Sequence, residues 1–248
     1  KDSRVKYFWQ ENSGGAASPK NKALSLCSGK YIAYLDHDDE WLPKKLEKQL
    51  KLIKTDDEIG LVTCHSIVRS ESDKEKVHTL KTWDGLENFL NNPSDYIFSN
   101  SSILLTKNVI ENVGKRDENL KLFEDFDYFI RVVTTGYKIR FVDEALLKYY
   151  YHPDNFSKDK KRITDFANLL LKHQDLFLKQ GKTTRAHYFR HLGTAELLTG
   201  SKKKSYKYFL KAIKIKPNIK NLATLLAALI LTKKMYEKIL EIKTKQAI

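Results

Sequence analysis

With 248 residues and 41% hydrophobic content, the sequence has room for one or two domains with a packed core, which excludes a disordered chain. The net charge of +14 is unevenly placed: residues 1–157 hold 23 Lys and Arg against 25 Asp and Glu, residues 158–248 hold 22 against 6. No run of eighteen apolar residues suggests a spanning helix, and KDSRVKYFWQE has no signal-peptide apolar region, so the expected location is cytoplasmic.

In chain order, RVKYFW (4–9) reads as a strand. A turn and a helix follow over NSGGAASPKNKALSLCSG (12–29), with Pro19 in the first turn and Gly29 as its stop. KYIAYL (30–35) is a second strand, and PKKLEKQLKLIKT (43–55) an amphipathic helix with Leu46, Leu50 and Ile53 on one stripe. GLVTCHSIVRS (60–70) is a strand, ESDKEK a polar loop and DGLENFLNN (84–92) a short helix. IFSNSSILLTK (97–107) is then a strand and KNVIENVG (107–114) a helix. FEDFDYFIRVVTTG (123–136) is a helix closed by Gly136, followed by the strand KIRFVDEALLKYYYH (138–152). Alternating strands and helices predict an α/β sheet with flanking helices over 1–157.

From 158 to 248 the apolar residues recur at helical spacing, which predicts an all-α, basic region. Residues 186–218 fit a single tetratricopeptide-like template at Phe189, Leu192, Gly193, Gly200, Phe209, Ala212 and Pro217, and depart from it at Glu196 and Ser205. One such unit cannot bury its apolar face alone, so it must pack on neighbours. The positive charge there suits an anionic surface, and a peripheral contact with an anionic membrane is expected. Nucleic acid is not the expected partner, because the aromatic residues fall at helical core spacing and not as a stacking platform. Cys27 and Cys64 have no CxxC or histidine partner at metal-binding spacing, so both are expected to be free, buried thiols.

The stretch YIAYLDHDDEW (31–41) runs from an apolar strand straight into Asp36, His37, Asp38, Asp39 and Glu40. Carboxylates crowded at a strand end repel one another, and a bound cation relieves that repulsion. Asp36 and Asp38, at the C-terminal edge of an α/β strand, suit Mg2+ or Mn2+, hard ions that take further ligands from water and substrate phosphates. A haloacid-type phosphatase requires Thr or Val where Glu40 stands. A nucleotidyltransferase requires its glycine pair much nearer than Gly15. A polar turn capping the next helix accounts for one acidic residue but not three.

The run RVKYFWQENSGGAASPKNKALSLCSGKYIAYLDHDDEWLPKKLEKQL resembles the middle of a family 2 glycosyltransferase of the GT-A fold. Its strand, Asn-Gly turn, basic-Asn helix and D-x-D-D-x-W-x-P-x-K-L-E segment occur in the family's order. Downstream, GKRDENLKLFEDFDYFIRVVTTGYKIRFVDEALLKYYYHPDNFS resembles its acceptor-side region. The resemblance implies an inverting, metal-dependent transfer of a sugar from a nucleotide-sugar, UDP-linked, to a glycan or lipid-linked saccharide. It implies Asp36 and Asp38 as metal-side groups, with His152 a further metal or phosphate contact. Asp36, Asp39, Lys20 and Asn21 would lie toward the donor, Asp125 would be the general base, and Glu124 and Trp41 would lie on the acceptor side. Arg131, in the base helix, is expected to be structural. The family's nucleoside-binding first part does not precede Lys1, so an N-terminally incomplete GT-A domain is expected over 1–157. A catalytically inactive scaffold using the helical repeat surface is the alternative.

Overall fold

The computed structural model describes residues 2–69, 74–151, 162–230 and 235. Backbone contacts divide the chain into two compact units, Lys1–Asp84 with Pro93–Ser157 and Gly85–Asn92 with Lys158–Ile248. The short helix predicted over 84–92 thus joins the helical unit, although it lies within the α/β part of the sequence.

The first unit is built on a six-stranded mixed sheet: β1 (Tyr31–Ala33), β2 (Glu40–Trp41), β3 (Ile59–Arg69), β4 (Glu75–His78), β5 (Leu104–Thr106) and β6 (Lys138–Tyr150). Its order is β1-β5-β3-β6-β2, with β4 paired to β3. β3 and β6 are parallel, whereas β1–β5, β5–β3, β3–β4 and β6–β2 are antiparallel. β1, β3 and β6 therefore point the same way. The β3 run Ile59–Ser66 is buried throughout, as a central strand covered on both faces requires. Leu61, Val62, Ile103, Leu105 and Leu147 fill the core around it.

Four helices flank the sheet: α1 (Ala17–Leu26), α2 (Lys45–Ile53), α4 (Lys107–Val113) and α5 (Glu124–Val133). α4 is capped by Thr106, whose hydroxyl accepts from the Val109 N–H, and it stops at Gly114 at φ +74°. Gly60 is held for space, because a Cβ there would lie 2.4 Å from Val109 Cγ2 and 2.7 Å from Tyr137 Cβ.

Several expectations are corrected. Residues 4–9 form no strand; Val5, Tyr7, Phe8 and Trp9 are exposed and find no ladder among the described residues. α1 ends at Leu26 with an extended Cys27, so Gly29 is not its stop, and Cys27 is exposed while Cys64 is buried. The expected polar loop contains the start of β4, whose backbone pairs with β3 and outweighs its charged composition. The expected strand over 97–107 shrinks to β5, because Asn100–Ser102 coil into a 3-10 turn. On α2 the buried row is Lys45, Gln49 and Ile53, and Leu46 is exposed.

The second unit contains α3 (Leu86–Asn91), α6 (Arg162–Lys172), α7 (Gln174–Leu178), α8 (Lys182–Thr199), α9 (Lys202–Ile215) and α10 (Ile219–Ile230). α8 and α9 meet at Gly200, which takes φ +105°, and pack closely enough that a Cβ on Gly193 would lie 2.6 Å from the Phe209 ring. Leu197, Phe209 and Ala228 form the apolar centre of α8, α9 and α10. Arg190 donates to Asn221 Oδ1 at 3.0 Å, which joins α8 to α10.

Candidate functional site

β1 and β2 lie at opposite ends of the sheet order, yet only residues 34–39 separate them. The acidic segment therefore crosses the sheet from the C-terminal end of β1, where open α/β sheets bind ligands. The 3-10 turn pins it there. Ser101 Oγ accepts from the Asp36 N–H at 3.0 Å, and its carbonyl accepts from Trp41 Nε1 at 2.8 Å. Asp39 N–H closes a turn onto the Asp36 carbonyl at 3.2 Å.

A polar network inside α2 holds the next serine. Gln49 Nε2 donates to the carbonyls of Ser102 at 2.7 Å and Val62 at 3.1 Å, and its Oε1 accepts from Lys45 Nζ at 2.9 Å. Lys45 also sits over the Trp41 ring, 4.4 Å from the centroid. Burial pulls its ammonium down to about 8 from its ordinary 10.5, despite the counteracting neighbour Cys64. Burial likewise pushes the Cys64 thiol up to about 11.

The three aspartates differ. Asp36 and Asp38 are part-exposed, and Asp36 Oδ1 lies 3.4 Å from Lys20 Nζ. Both Asp39 carboxylate oxygens are enclosed without a well-formed hydrogen bond. Burial, with repulsion from Asp38 and Asp36, pushes Asp39 up to about 6, while Ser101 and the Tyr150 backbone temper the rise. His37 points into solvent, its side chain 96% exposed.

Lys20 links this segment to the start of α5. Its Nζ lies 3.8 Å from Glu124 Oε1 as well as 3.4 Å from Asp36, and so spans two motifs 88 residues apart. Glu124 is buried, and desolvation plus Asp125 push its carboxyl up to about 7 against the pull of Lys20 and Arg116. Asp125 is half-buried, and its Oδ1 accepts from the Phe126 N–H at 2.7 Å. Arg131, expected to be structural, is bound to Asp127 at 2.9 Å and donates to the Val113 carbonyl.

Asn21 is wholly used within the fold. Its Oδ1 accepts from the Arg116 N–H at 2.8 Å, and its Nδ2 donates to the Arg116 carbonyl and to Glu118. Arg116 stacks on Tyr128 at 4.2 Å and donates to Asn100 Oδ1 at 2.7 Å, beside Ser101. Trp41 is tied to Ser101 and Lys45 in the same way. His152 lies outside the described residues.

Tyr149 lies on β6. Burial first, then the charges of Asp39, Asp38, Asp36 and Asp125 in that order, push its hydroxyl up to about 12. The phenol is half-buried and T-stacks on Phe98, with centroids 5.1 Å apart. Sequence reasoning missed Tyr149, Ser101, Lys45, Gln49 and Arg116. The polar run Asn100-Ser101-Ser102 inside an apolar stretch was the available signal for Ser101; Tyr149 stood among three consecutive tyrosines with nothing to single it out.

Among the described residues no three His, Cys, Asp or Glu side chains gather as a closed metal cage. Two part-exposed carboxylates beside an enclosed third nonetheless fit a hard cation of the Mg2+ or Mn2+ type, which needs only one or two protein carboxylates when phosphates and water complete its shell.

Comparison with known proteins bears on the family and the fold. Residues 1–114 match the model of Glycosyl transferase family 2. An uncharacterized glycosyltransferase of Methanocaldococcus jannaschii is 32% identical over 173 residues, 65% of this chain and 57% of that protein. The UDP-Glc:alpha-D-GlcNAc-diphosphoundecaprenol beta-1,3-glucosyltransferase WfgD of Escherichia coli is 46% identical over 52 residues, 21% of each chain. The chain thus spans less than two thirds of the length of these relatives. The crystal structure of S. aureus TarS 1-349 aligns at a TM-score of 0.53 and 15% identity, covering 97% of this chain and 74% of that one, a likeness of fold. Over residues 1–114 the chain is thus similar to glycosyl transferase family 2, and the relatives it matches are glycosyltransferases.

Proposed function

We propose that this chain forms the diphosphate-side and acceptor-side part of an inverting, metal-dependent glycosyltransferase. The observation that carries the proposal is Lys20, whose ammonium lies 3.4 Å from Asp36 and 3.8 Å from Glu124 and so joins the acidic segment to the start of α5. The donor is a nucleotide-sugar, UDP-linked, and the acceptor a glycan or lipid-linked saccharide. The E. coli relative, whose name gives a UDP-linked donor and a diphosphoundecaprenol acceptor, supports that choice. The similarity of residues 1–114 to Glycosyl transferase family 2 supports an enzyme over a scaffold.

Asp36 and Asp38 would hold Mn2+ or Mg2+, which when bound sets positive charge against the leaving diphosphate. Asp39 adds negative charge behind them. Lys20 lies beside Asp36, where it can meet a phosphate oxygen that enters the site. Asp125 takes the proton from the acceptor hydroxyl. The freed oxygen then bonds to the anomeric carbon from the face opposite the diphosphate, and the electron pair of the broken bond leaves on the diphosphate oxygen. Inversion follows from this single displacement. Glu124, held by Lys20, fixes the start of the helix that presents Asp125; Trp41 and Asn21 position the acidic segment and α1. His152 is assigned a further contact on the metal or phosphate side. Residues 186–218 are read as one tetratricopeptide-like hairpin, and the basic helical unit is assigned an anionic membrane face as partner, on its charge.

Transfer is tested by incubating the chain with UDP-sugars, MnCl2 and a polyprenyl-diphosphate-linked saccharide and measuring UDP release. Asp125→Asn should lower turnover by about 10²–10⁴ while UDP binding is kept. Unchanged turnover in Asp125→Asn would remove it as the base.

A further inference from the structure

In the helical unit, α10 turns Asn221 and Ala228 inward, and Tyr206 of α9 donates to the Ala228 carbonyl at 3.3 Å. On its outer side Leu222, Leu226 and Leu229 recur at i, i+4 and i+7, about half exposed at 49%, 46% and 54%. Isolated exposed leucines are ordinary, but a continuous row of three on one helix stripe marks a contact surface. On α9 the exposed residues Lys203, Lys207, Leu210 and Lys214 recur at i, i+4, i+7 and i+11 and form a second, basic stripe.

The two stripes share a side. Asn221 Nδ2 donates to the Lys216 carbonyl at 2.8 Å near one end of the pair, while Tyr206 meets Ala228 near the other, so α9 and α10 run antiparallel. α9 turns Phe209 toward Gly193 and Leu197 of α8, and Arg190 of α8 reaches Asn221. Helical rotation from these inward positions brings both stripes out on the flank of the α9–α10 pair turned away from α8.

We propose that this flank is a membrane-docking surface, with Leu222, Leu226 and Leu229 entering the interface of an anionic bilayer while Lys203, Lys207 and Lys214 meet its headgroups. The charge pattern selects this occupant. Apolar residues beside a lysine row match an acyl boundary beneath negative headgroups. A second copy would bring two strongly basic surfaces together, since residues 158–248 hold 22 Lys and Arg against 6 Asp and Glu. A nucleic-acid backbone would leave the leucine row without a partner. The proposal rests on the reading of the helical unit as facing an anionic membrane and adds to it the face and the insertion of apolar side chains; it is independent of the catalytic assignment.

The test is flotation of the whole chain with phosphatidylcholine vesicles, with and without phosphatidylglycerol. Wild type should float with the anionic vesicles only. A Leu222→Ser, Leu226→Ser, Leu229→Ser variant, its helicity checked by circular dichroism, should bind them about tenfold more weakly. A Lys203→Glu, Lys207→Glu, Lys214→Glu variant should lose the preference for phosphatidylglycerol. Wild-type affinity in the leucine variant would overturn insertion while leaving the charge-based reading standing, and failure of wild type to float would overturn both. A leucine-dependent dimer, or leucine-dependent RNA binding, without flotation would overturn the proposal in favour of that partner. If the triple variant loses helicity, Leu226→Trp decides: its emission should be quenched by brominated lipid acyl chains, and unquenched emission overturns the insertion.

Discussion

Replacing Lys45 by methionine tests the buried network that holds the acidic segment. The Lys45 side chain is fully enclosed, its ammonium bound to Gln49 and lying over Trp41. Its ordinary value of 10.5 falls to about 8 through burial. Between those values the unfolded chain carries a proton that the folded chain has released, so stability rises with pH in this window and the gain is complete above 10.5. From pH 7 to 9 the rise attributable to Lys45 is about 1.4 kcal/mol, at 1.36 kcal/mol per pKa unit. Cys64 opposes it: a thiol raised from 9 to about 11 loses stability as pH climbs through 9. The comparison of wild type with Lys45→Met therefore isolates the lysine. Methionine keeps most of the volume and leaves the Gln49 amide bonds to Val62 and Ser102 in place. Urea unfolding at pH 7 and 9, followed by circular dichroism, should show wild type gaining about 1.4 kcal/mol more than Lys45→Met. Equal pH dependence in the two proteins would refute a desolvated ammonium at this position.

Other consequences follow from the same contacts. Ser101→Ala removes the acceptor of the Asp36 N–H and should cost about 1–3 kcal/mol in urea unfolding, with weaker Mn2+ binding. Glu124, raised from 4.5 to about 7, binds a proton in the folded state before it does so unfolded. Its contribution to stability is therefore present below pH 4.5 and lost as pH rises through 7, and Glu124→Gln should flatten that part of the stability profile. Gly193→Ala places a Cβ 2.6 Å from the Phe209 ring and should destabilise the helical unit by about 1–3 kcal/mol, read as a lower melting temperature of its helical signal.

The parts of this fold legible in the sequence were those with a strong local period or punctuation. β3, β6, α4 and α5 stood out through apolar runs and stopping glycines, whereas the Thr106 cap of α4 emerged only from the structure. The acidic residues stood out because their clustering is costly without a purpose. Long-range pairing and burial of polar groups were not legible. RVKYFW has strand composition, yet a strand exists only with a partner ladder, and these residues have none among those described. On α2 the leucine stripe suggested the buried face, but Lys45 and Gln49 are buried because the carbonyls of Val62 and Ser102 need donors. Lys20 was visible as a basic residue in α1, whereas its position between Asp36 and Glu124 depends on contacts across the sheet that no local pattern encodes.

The most direct test of the acidic segment as a cation site is the count of bound Mn2+ by electron paramagnetic resonance, with and without UDP. Wild type should bind one Mn2+ whose affinity rises when UDP is added, and Asp36→Asn with Asp38→Asn should abolish the bound ion in both conditions. Mn2+ binding by the double variant equal to that of wild type, or no binding by wild type with UDP present, would contradict the assignment of Asp36 and Asp38.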